Sequence, residues 1–323
     1  MNKGFYAAID IGGTKLAAGI VTASGKFLAR EKMPTPKDIS PAKFPRIISD
    51  LLEEVLYSAD LSKKDITGIG VGVPGVVDPK RGKIIHTPNI ALSGTNLKQH
   101  LEKKFRVRVS IGNDVNLGVL GEKWLGAGRR SSNLVGLFIG TGIGGGAIVD
   151  NRLVSGSHGA ACEFGHMTML KNGPKCSCGN FGCLEAIAGR WAIERDIRAA
   201  IRKGRSTVLK KAFEKNKTIK SKLLSKALHK KDPLAYKIMV KASSMLGEAC
   251  VSLRHVFDPD TIVLGGGVIE ACGDFMLPVI KKAVAKDGLF SKLPKCDIVQ
   301  AKLGDDAVML GAAALAGRLL KSC

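Results

Sequence analysis

The sequence predicts an α/β protein with two domains, and three observations support this prediction. The chain has 323 residues, which is enough for two domains of ordinary size. Segments with strand-like apolar runs are interleaved with segments of helical spacing along the chain. A strand, a glycine turn and a second strand follow each other twice, at residues 5–22 and 134–149, which indicates a weak internal duplication of one β-rich unit.

The first half of the chain begins with a predicted β-meander. Its strands are expected at residues 5–11, 16–22 and 26–31, because the turn-forming pairs Gly12-Gly13 and Ser24-Gly25 separate three apolar segments. Apolar residues at helical spacing predict a helix at 45–58. A strand at 66–73, a helix at 97–105, a strand at 107–111 and a helix at 115–125 complete this half.

The second half repeats the opening pattern and then becomes mainly helical. Strands are predicted at 134–139 and 146–149, on either side of a glycine turn at 140–146. Residues 184–203 and several later segments up to Phe257 have helical spacing. A strand at 261–264, a helix at 273–286, a strand at 297–300 and a final helix at 305–320 follow.

The formal net charge of +22 is unusual, and residues 195–232 account for much of it. This segment has fourteen Lys or Arg and three Asp or Glu, a net charge of +11. It is either a surface for a polyanion such as nucleic acid or polyphosphate, or the solvated face of ordinary helices. The second interpretation is favoured, because only Phe213 lies between Trp191 and Tyr236 and base stacking needs aromatic rings. We therefore expect no nucleic-acid partner.

Three features favour a cytoplasmic protein that does not enter a membrane. The apolar run at 307–317 is too short to span a bilayer. The N-terminus enters a strand pattern at Phe5 and does not have the shape of a signal peptide. The eight cysteines, some of them in a metal-type cluster, favour a reducing compartment over a disulfide framework.

Four potential metal ligands occur within eighteen residues: His166, Cys176, Cys178 and Cys183. Three thiolates and an imidazole form a complete ligand set for tetrahedral zinc. A site closed by four protein ligands has no open position for substrate, so the zinc is expected to be structural. The alternative is a chance grouping of core and surface residues, but buried cysteines seldom cluster in this way.

Three glycine-rich turns follow predicted strands. They are Asp10-Ile11-Gly12-Gly13-Thr14-Lys15, the segment that begins with Gly140, Thr141 and Gly142, and Gly265-Gly266-Gly267. Glycine lets backbone N–H groups approach phosphate oxygens, and Asp10 at a strand end suits Mg²⁺. Each turn alone could be an ordinary hairpin or loop. Together they indicate a nucleotide held in a cleft between two halves of the protein.

Asn113 and Asp114 lie between a predicted strand and a predicted helix. Asp114 is placed either to cap the helix or to act as a general base that takes a proton from a hydroxyl nucleophile. The residues alone give these two roles equal weight.

These motifs together resemble the ROK family of sugar kinases, in the hexokinase–actin superfamily, over essentially the whole chain. The most specific matching segments are Glu163-Phe164-Gly165-His166 and the stretch from Cys176 to Glu185. The others are Asp10–Lys15, Val73–Asp78, Thr87-Pro88-Asn89, Asn113–Asn116 and Gly140–Gly146. Within the family, the sequence most resembles bacterial glucokinases and N-acetylmannosamine kinases.

The resemblance implies a fold and an activity. The fold would consist of two ribonuclease-H-like domains of the actin/hexokinase type with an interdomain cleft. Residues 1–115 and 305–323 would form a small domain, and residues 116–304 a large domain with the zinc loop. The activity would be ATP-dependent phosphorylation of a hexose at its 6-hydroxyl, with glucose the expected substrate and N-acetylmannosamine or another hexose the alternative. A homodimer would be the usual family state.

The resemblance also implies roles for individual residues. Asp114 would be the catalytic base. The sugar would be bound by Gly75, Asn89, Asn113, Asp114, Glu163, His166 and Glu185. Mg²⁺ and ATP would be bound by Asp10, Gly12, Gly13, Thr14, Lys15, Gly140, Thr141, Gly142, Gly265, Gly266 and Gly267. His166 would serve both zinc and sugar through its two ring nitrogens.

One departure and three rival functions follow from the same resemblance. Family members commonly have glycine where this chain has Cys162, which would narrow or re-aim the sugar pocket if the position needs a positive φ; the alternative is a modest change of the backbone. A DNA-binding repressor would carry a helix-turn-helix domain before Asp10, where only nine residues stand. An inactive sugar sensor would be expected to lack Asp10 or Asp114. The basic segment 195–232 motivates the third rival, a kinase that uses polyphosphate as donor.

Overall fold

The computed structural model describes residues 4–36, 39–78, 81–87, 90, 92–215 and 217–319. In its first half the strands are β1 (Phe5–Ile11), β2 (Lys15–Thr22), β3 (Phe27–Pro34), β4 (Ile66–Val73), β5 (Val76–Asp78), β6 (Lys83–His86) and β7 (Arg108–Asn113). The helices of this half are α1 (Phe44–Ser58), α2 (Leu97–Phe105) and α3 (Asp114–Trp124).

The second half has five further strands and seven further helices among the described residues. The strands are β8 (Leu134–Ile139), β9 (Ile143–Val149), β10 (Arg152–Leu153), β11 (Thr261–Gly265) and β12 (Asp297–Gln300). The helices are α4 (Glu185–Ala188), α5 (Arg190–Arg202), α6 (Lys210–Glu214), α7 (Ser221–His229), α8 (Pro233–Phe257), α9 (Gly267–Val284) and α10 (Ala307–Gly317). Short 3₁₀ turns lie at Phe164–His166, Phe290–Lys292 and Gly304–Asp306.

Two five-stranded sheets repeat one topology. Their strand orders are β3-β2-β1-β4-β7 and β10-β9-β8-β11-β12. In the first sheet β1 is antiparallel to β2 and parallel to β4, and in the second β8 is antiparallel to β9 and parallel to β11. The internal duplication predicted from the strand–glycine–strand pattern is therefore confirmed in the fold.

The central strands form because both of their faces are buried. β4 reads ITGIGVGV, with every residue but Thr67 buried, and β8 reads LVGLFI with the same character. Strands buried on both faces read as apolar runs rather than as alternating patterns. The edge strand β3 instead alternates half-buried and exposed residues, as expected for a strand with one face in solvent.

The chain divides into two compact units. Unit 1 comprises residues 1–130, 150–162 and 305–323, and unit 2 comprises residues 131–149 and 163–304. The sequence-based division at 115/116 differs, because helix α3 packs closely on α10 and so belongs with it. Gly121 and Gly311 permit this approach, since a Cβ on either would overlap a backbone carbonyl of the other helix.

Most predicted elements lie within about three residues of their predicted bounds, and some differ in their start or continuity. The bounds of β1, β4, β8, β12 and α2 are as predicted. Helix α9 begins at Gly267 rather than at 273, and the glycine turn before β9 ends at Gly142. The predicted helix at 184–203 is two helices, because the extended backbone of Gly189 (ψ 154°) interrupts it. Among the described residues, no helix is long and apolar enough to cross a membrane.

Candidate active site and metal centre

Asp10, Asn113 and Asp114 lie at one edge of the first sheet. Asp10 is the penultimate residue of β1, and Asn113 is the last residue of β7. Both strands run parallel to β4, with Asp10 paired to Gly72 and Asn113 to Val73. The carboxyl ends of parallel strands meet at one edge of a sheet. β1 and β7 lie on either side of β4, so they are two strand spacings, or about 10 Å, apart. The structure therefore brings these three predicted site residues together.

Asn113, and not Asp114, caps helix α3. The Oδ1 atom of Asn113 accepts a hydrogen bond from the backbone N–H of Asn116 at 3.0 Å, and its Nδ2 donates to the carbonyl of Gly75 at 3.0 Å. Asp114 is the first residue of the helix. Asn113 is therefore the N-cap residue, while Oδ1 of Asp114 accepts from the backbone N–H of Val115 at 2.9 Å. Its carboxylate lies in the first helical turn, where the helix dipole stabilises negative charge.

The carboxyl group of Asp10 is strongly perturbed. Burial and, next, the charge of Asp114 raise the pKa of Asp10 to about 6, and Asp305 acts in the same direction. Lys15 and Lys32 oppose this shift. Lys15 itself lies 3.6 Å from Asp305 in an exposed ion pair. A buried carboxylate beside a second carboxylate is a place where a bound cation relieves an unfavourable charge, which fits the predicted Mg²⁺ site.

The turn between β1 and β2 is held at its base and exposed at its tip. The Gly12 N–H donates to the carbonyl of Lys15 at 2.9 Å, and the hydroxyl of Thr35 donates to the Gly12 carbonyl at 2.5 Å. The Thr35 N–H donates to the Thr14 carbonyl at 3.1 Å. Gly13 and Thr14 are exposed, so the predicted phosphate-binding groups are at the surface of unit 1.

The four predicted metal ligands form one cluster in unit 2. The ligand atoms of His166, Cys176, Cys178 and Cys183 all lie within 4.8 Å of one another. Cys178 Sγ is 3.7 Å from Cys183 Sγ, and Cys176 Sγ is 3.7 Å from His166 Nδ1. A zinc tetrahedron with ordinary bond lengths has S···S edges of about 3.8 Å and S···N edges of about 3.6 Å. The donor set therefore fits a tetrahedral ion.

The loop geometry also settles which histidine nitrogen faces the cluster. His166 Nδ1 faces the Cys176 sulfur, so Nε2 is directed to the other side of the ring. Burial raises the pKa of the Cys183 thiol to about 12, whereas the backbone N–H of Asn180 lowers the pKa of Cys178. A metal that binds here must displace the proton of a buried thiol, which makes its affinity depend on pH.

The two predicted sugar-binding carboxylates of unit 2 have different environments. Glu163 is exposed at the start of the 3₁₀ turn that ends at His166, and its side chain makes no hydrogen bond or ion pair to the described residues. Glu185, in contrast, is heavily engaged. Its Oε2 accepts from the Ile143 N–H at 2.9 Å, and its Oε1 accepts from the Ser177 hydroxyl at 3.2 Å and the Trp191 indole N–H at 3.3 Å.

The second phosphate-type turn is fixed by the start of helix α5. The Arg190 N–H donates to the Gly140 carbonyl at 3.2 Å, and the Trp191 N–H donates to the Thr141 carbonyl at 3.1 Å. The guanidinium of Arg190 donates to the exposed Thr141 hydroxyl at 2.8 Å. A Cβ at Gly142 would lie 2.1 Å from Oε2 of Glu185, so a larger residue there would displace this carboxylate.

Sequence reasoning did not assign roles to Ser177, Arg190 and Trp191. The available signal was their position, since Ser177 lies between two metal ligands and the other two follow Glu185 by five and six residues. The partners of Arg190 and Trp191 in the turn at 140–143 are more than forty residues away along the chain, so no local pattern reveals these contacts.

The third glycine turn opens a helix. Gly265 ends β11, Gly266 has φ +83°, and Gly267 is the first residue of the 18-residue helix α9. β11 runs parallel to β8 with Gly265 opposite Phe138, so this turn and the one after β8 lie at the same sheet edge. The N-terminus of α9 adds backbone N–H groups that suit an anion or a ribose oxygen.

Two predictions concern the remaining sugar-side positions. Asn89 lies outside the described residues. Cys162, immediately before Glu163, has φ +66°, so this position does have the positive φ that favours glycine. A left-handed conformation costs about 1–2 kcal/mol for a residue other than glycine.

The basic segment 195–232 comprises the end of α5, helices α6 and α7 and the loops between them, and most of its Lys and Arg residues are exposed. Arg195 and Lys241 pair with Asp196, and Lys210 pairs with Glu214. The guanidinium groups of two arginines lie over the ring of the segment's aromatic residue. These ion pairs and cation–π contacts engage some of the charges of the segment with neighbouring side chains.

Comparison with known proteins gives one family over almost the entire chain. The profile described as the ROK family matches residues 6–318. A glucokinase from Halalkalibacterium halodurans is 32% identical over 312 residues, which cover 96% of this chain and 94% of that protein. A xylose repressor from Bacillus subtilis is 29% identical, and the match covers 95% of this chain and 76% of the repressor.

The structural comparison agrees. The crystal structure of a ROK family glucokinase from Streptomyces griseus, in complex with glucose and AMPPNP, superposes with a TM-score of 0.80 at 30% identity. The match covers 98% of this chain and 100% of that one. The fold expected from the sequence, a two-domain α/β protein of the actin/hexokinase type, is confirmed.

Proposed function

This chain belongs to the ROK family, and from that premise we propose that it is a glucokinase that transfers the γ-phosphate of ATP to the 6-hydroxyl of glucose. The single observation that carries the proposal is the sheet edge that holds Asp10 and Asp114. It combines a carboxylate at the start of a helix with a second, buried carboxylate that favours a cation. An acceptor-side base and a metal-side carboxylate are the two groups that phosphoryl transfer to a hydroxyl requires from the protein.

Asp114 is the proposed general base. Asn113 is the N-cap of α3, and Oδ1 of Asp114 accepts from the backbone N–H of Val115 at 2.9 Å, which fixes the orientation of this carboxylate in the first helical turn. It would accept the proton of the 6-hydroxyl as that oxygen attacks the γ-phosphorus. Asn113 orients the segment, since its two amide atoms are bonded to Asn116 and Gly75 on either side.

Asp10 would hold Mg²⁺, and His166, Cys176, Cys178 and Cys183 would hold zinc. Bound Mg²⁺ neutralises charge on the transferring phosphates, whereas a four-ligand zinc is structural. Zinc thiolates also require reduced cysteines, which supports a reducing compartment such as the cytoplasm. The backbone of Gly12, Gly13 and Thr141 would contact the phosphates.

The metal loop would present the sugar-binding groups of unit 2. Glu163 is exposed and unengaged by the described residues, so both of its oxygens can accept from sugar hydroxyls. His166 turns Nε2 away from the cluster and can bind a further hydroxyl. Glu185 keeps less capacity, since three N–H and O–H donors and the Cys176 thiol, at 3.9 Å, already contact its oxygens.

A coupled assay of ADP release tests the proposal across a panel of hexoses and amino sugars. ATP with glucose should give the highest kcat/KM, and N-acetylmannosamine in that place would reassign the substrate. Repeating the glucose reaction with inorganic polyphosphate tests the rival donor. Glucose binding without turnover on any donor would instead favour a sugar-responsive regulator, the class to which the similar xylose repressor belongs. Sedimentation would test the predicted homodimer.

A further inference from the structure

The proposed metal loop and the proposed phosphate turn meet at a single side chain, that of Glu185. Its Oε1 accepts from Ser177, which lies between the ligands Cys176 and Cys178. Its Oε2 accepts from the backbone N–H of Ile143, at the end of the turn after β8. One oxygen of the carboxylate thus contacts the metal loop, and the other contacts the end of the turn after β8, which is far away in the sequence.

The start of helix α5 strengthens the same connection. The side chain of Trp191 packs against the buried cluster formed by Cys176, Cys183 and Ala186, and its indole N–H donates to Oε1 of Glu185. Arg195 lies over the indole ring at 5.3 Å. One face of Trp191 therefore contacts the metal ligands, while its polar edge holds the carboxylate.

The phosphate turn and Ile143, the residue that follows it, make four hydrogen bonds with residues 185–191. Arg190 donates its backbone N–H to Gly140 and its guanidinium to the Thr141 hydroxyl, Trp191 donates its backbone N–H to Thr141, and Glu185 accepts from Ile143. Within unit 2, these hydrogen bonds with residues 185–191 hold the turn in place. The segment in turn follows the ligand Cys183 by only two residues.

We propose that Glu185, Arg190 and Trp191 are positioning residues that couple the metal cluster to the phosphate turn, so that metal occupancy sets the affinity for the phosphate donor and not only for the sugar. This inference rests on the proposed function, in which the turn at Gly140–Gly142 binds donor phosphates. The physical reason is that hydrogen bonds beyond the ligand shell transmit the geometry of a metal site to its surroundings.

The first test uses amide hydrogen exchange and needs no substrate. Removing the metal with a chelator should loosen the Ser177–Glu185–Ile143 connection and accelerate exchange at the Ile143 amide about fivefold or more, which is the loss expected for one hydrogen bond. An amide that exchanges at the same rate with and without metal overturns the coupling. This result does not depend on whether the chain is a kinase.

The second test measures the affinity for AMPPNP with Mg²⁺, in the absence of sugar, by calorimetry. Ser177→Ala should retain the metal but weaken AMPPNP binding about threefold or more. Lys175→Ala is the matched control, because it changes the exposed residue on the other side of Cys176 and should have no effect. Equal affinities in the two variants, or metal removal that lowers glucose affinity alone, would contradict the coupling.

A fluorescence measurement follows Trp191 directly. The chain has two tryptophans, and Trp124→Phe leaves Trp191 as the remaining one. Its emission should shift when the metal is removed and again when AMPPNP binds, because both events act on the Glu185 carboxylate. Failure of the metal-loaded protein to bind AMPPNP would refute the proposed function, whereas AMPPNP binding that is insensitive to the metal would refute the coupling alone.

Discussion

Replacing Asp10 with asparagine should make the protein more stable at neutral pH and inactive at the same time. Burial and the charge of Asp114 raise the pKa of Asp10 from 3.8 to about 6. Each unit of pKa corresponds to about 1.4 kcal/mol, so the ionised carboxylate destabilises the folded state by about 3 kcal/mol. Asparagine has nearly the same shape and carries no charge, and therefore removes this penalty.

The sign follows from the direction of the shift. The folded state holds the proton of Asp10 more tightly than the unfolded state, so the wild-type protein loses this stability as pH rises from about 4 to about 6. The advantage of Asp10→Asn should be about 3 kcal/mol at pH 8 and about half of that at pH 5. Lys15 and Lys32 lower the pKa of Asp10, but burial and the charge of Asp114 outweigh them, so the net shift of the pKa is upward.

Urea unfolding of both proteins at pH 5 and pH 8, without Mg²⁺ or nucleotide, measures the difference. A smaller advantage is expected when Mg²⁺ is added, since the cation stabilises only the wild-type carboxylate. An advantage that is equal at the two pH values, or a variant less stable than wild type at pH 8, would refute the assignment of Asp10 as a destabilised cation ligand. Its kcat should fall at least about a hundredfold, because the metal loses its carboxylate.

Three further predictions concern the base, the metal loop and the strained backbone. Asp114→Asn should fold normally and lose several orders of magnitude in kcat, with glucose affinity little changed; near-normal turnover would exclude Asp114 as the base. Cys178→Ser should lose zinc and glucose affinity together, measured by metal analysis and calorimetry, whereas metal loss with unchanged glucose binding would separate the two sites. Cys162→Gly should raise the free energy of unfolding by about 0.5–1 kcal/mol, because relief of the left-handed conformation exceeds the entropy cost of glycine. Cys162→Val should lower it by a similar amount or more, and the opposite order in urea unfolding would contradict the strain at this position.

The fold was predictable where local chemistry decides the outcome. The central strands are apolar runs bounded by turn residues, and β1, β4, β8 and β12 have the predicted bounds. The predicted start of helix α9 is six residues too late. The sequence predicts that all three glycines of Gly265-Gly266-Gly267 form a turn before the helix. In the structure only Gly266 needs the left-handed conformation, and Gly267 already begins the helix.

The candidate site was predictable as a set of residues and less so as a set of contacts. The spacing of His166, Cys176, Cys178 and Cys183 was enough to predict the metal cluster. Which of the two neighbours caps α3 was not predictable, since Asn and Asp are both good helix caps. The hydrogen bond from Asn113 to the carbonyl of Gly75 helps to place Asn113 at the cap.

The contacts of Glu185 show a second limit of sequence reasoning. Its partner Ile143 is 42 residues away, and a backbone N–H carries no signal in the sequence. Only tertiary structure reveals that this carboxylate contacts the end of the turn at 140–142 as well as the loop of the candidate metal ligands.

Formation of glucose 6-phosphate from ATP and glucose tests the central claim most directly. Product detected through glucose 6-phosphate dehydrogenase identifies both the sugar and the phosphorylated hydroxyl in one measurement. We expect one glucose 6-phosphate for each ADP in the wild-type protein and a loss of several orders of magnitude in Asp114→Asn. Glucose bound by the metal-loaded protein without formation of glucose 6-phosphate, or equal rates in the two proteins, would contradict the account.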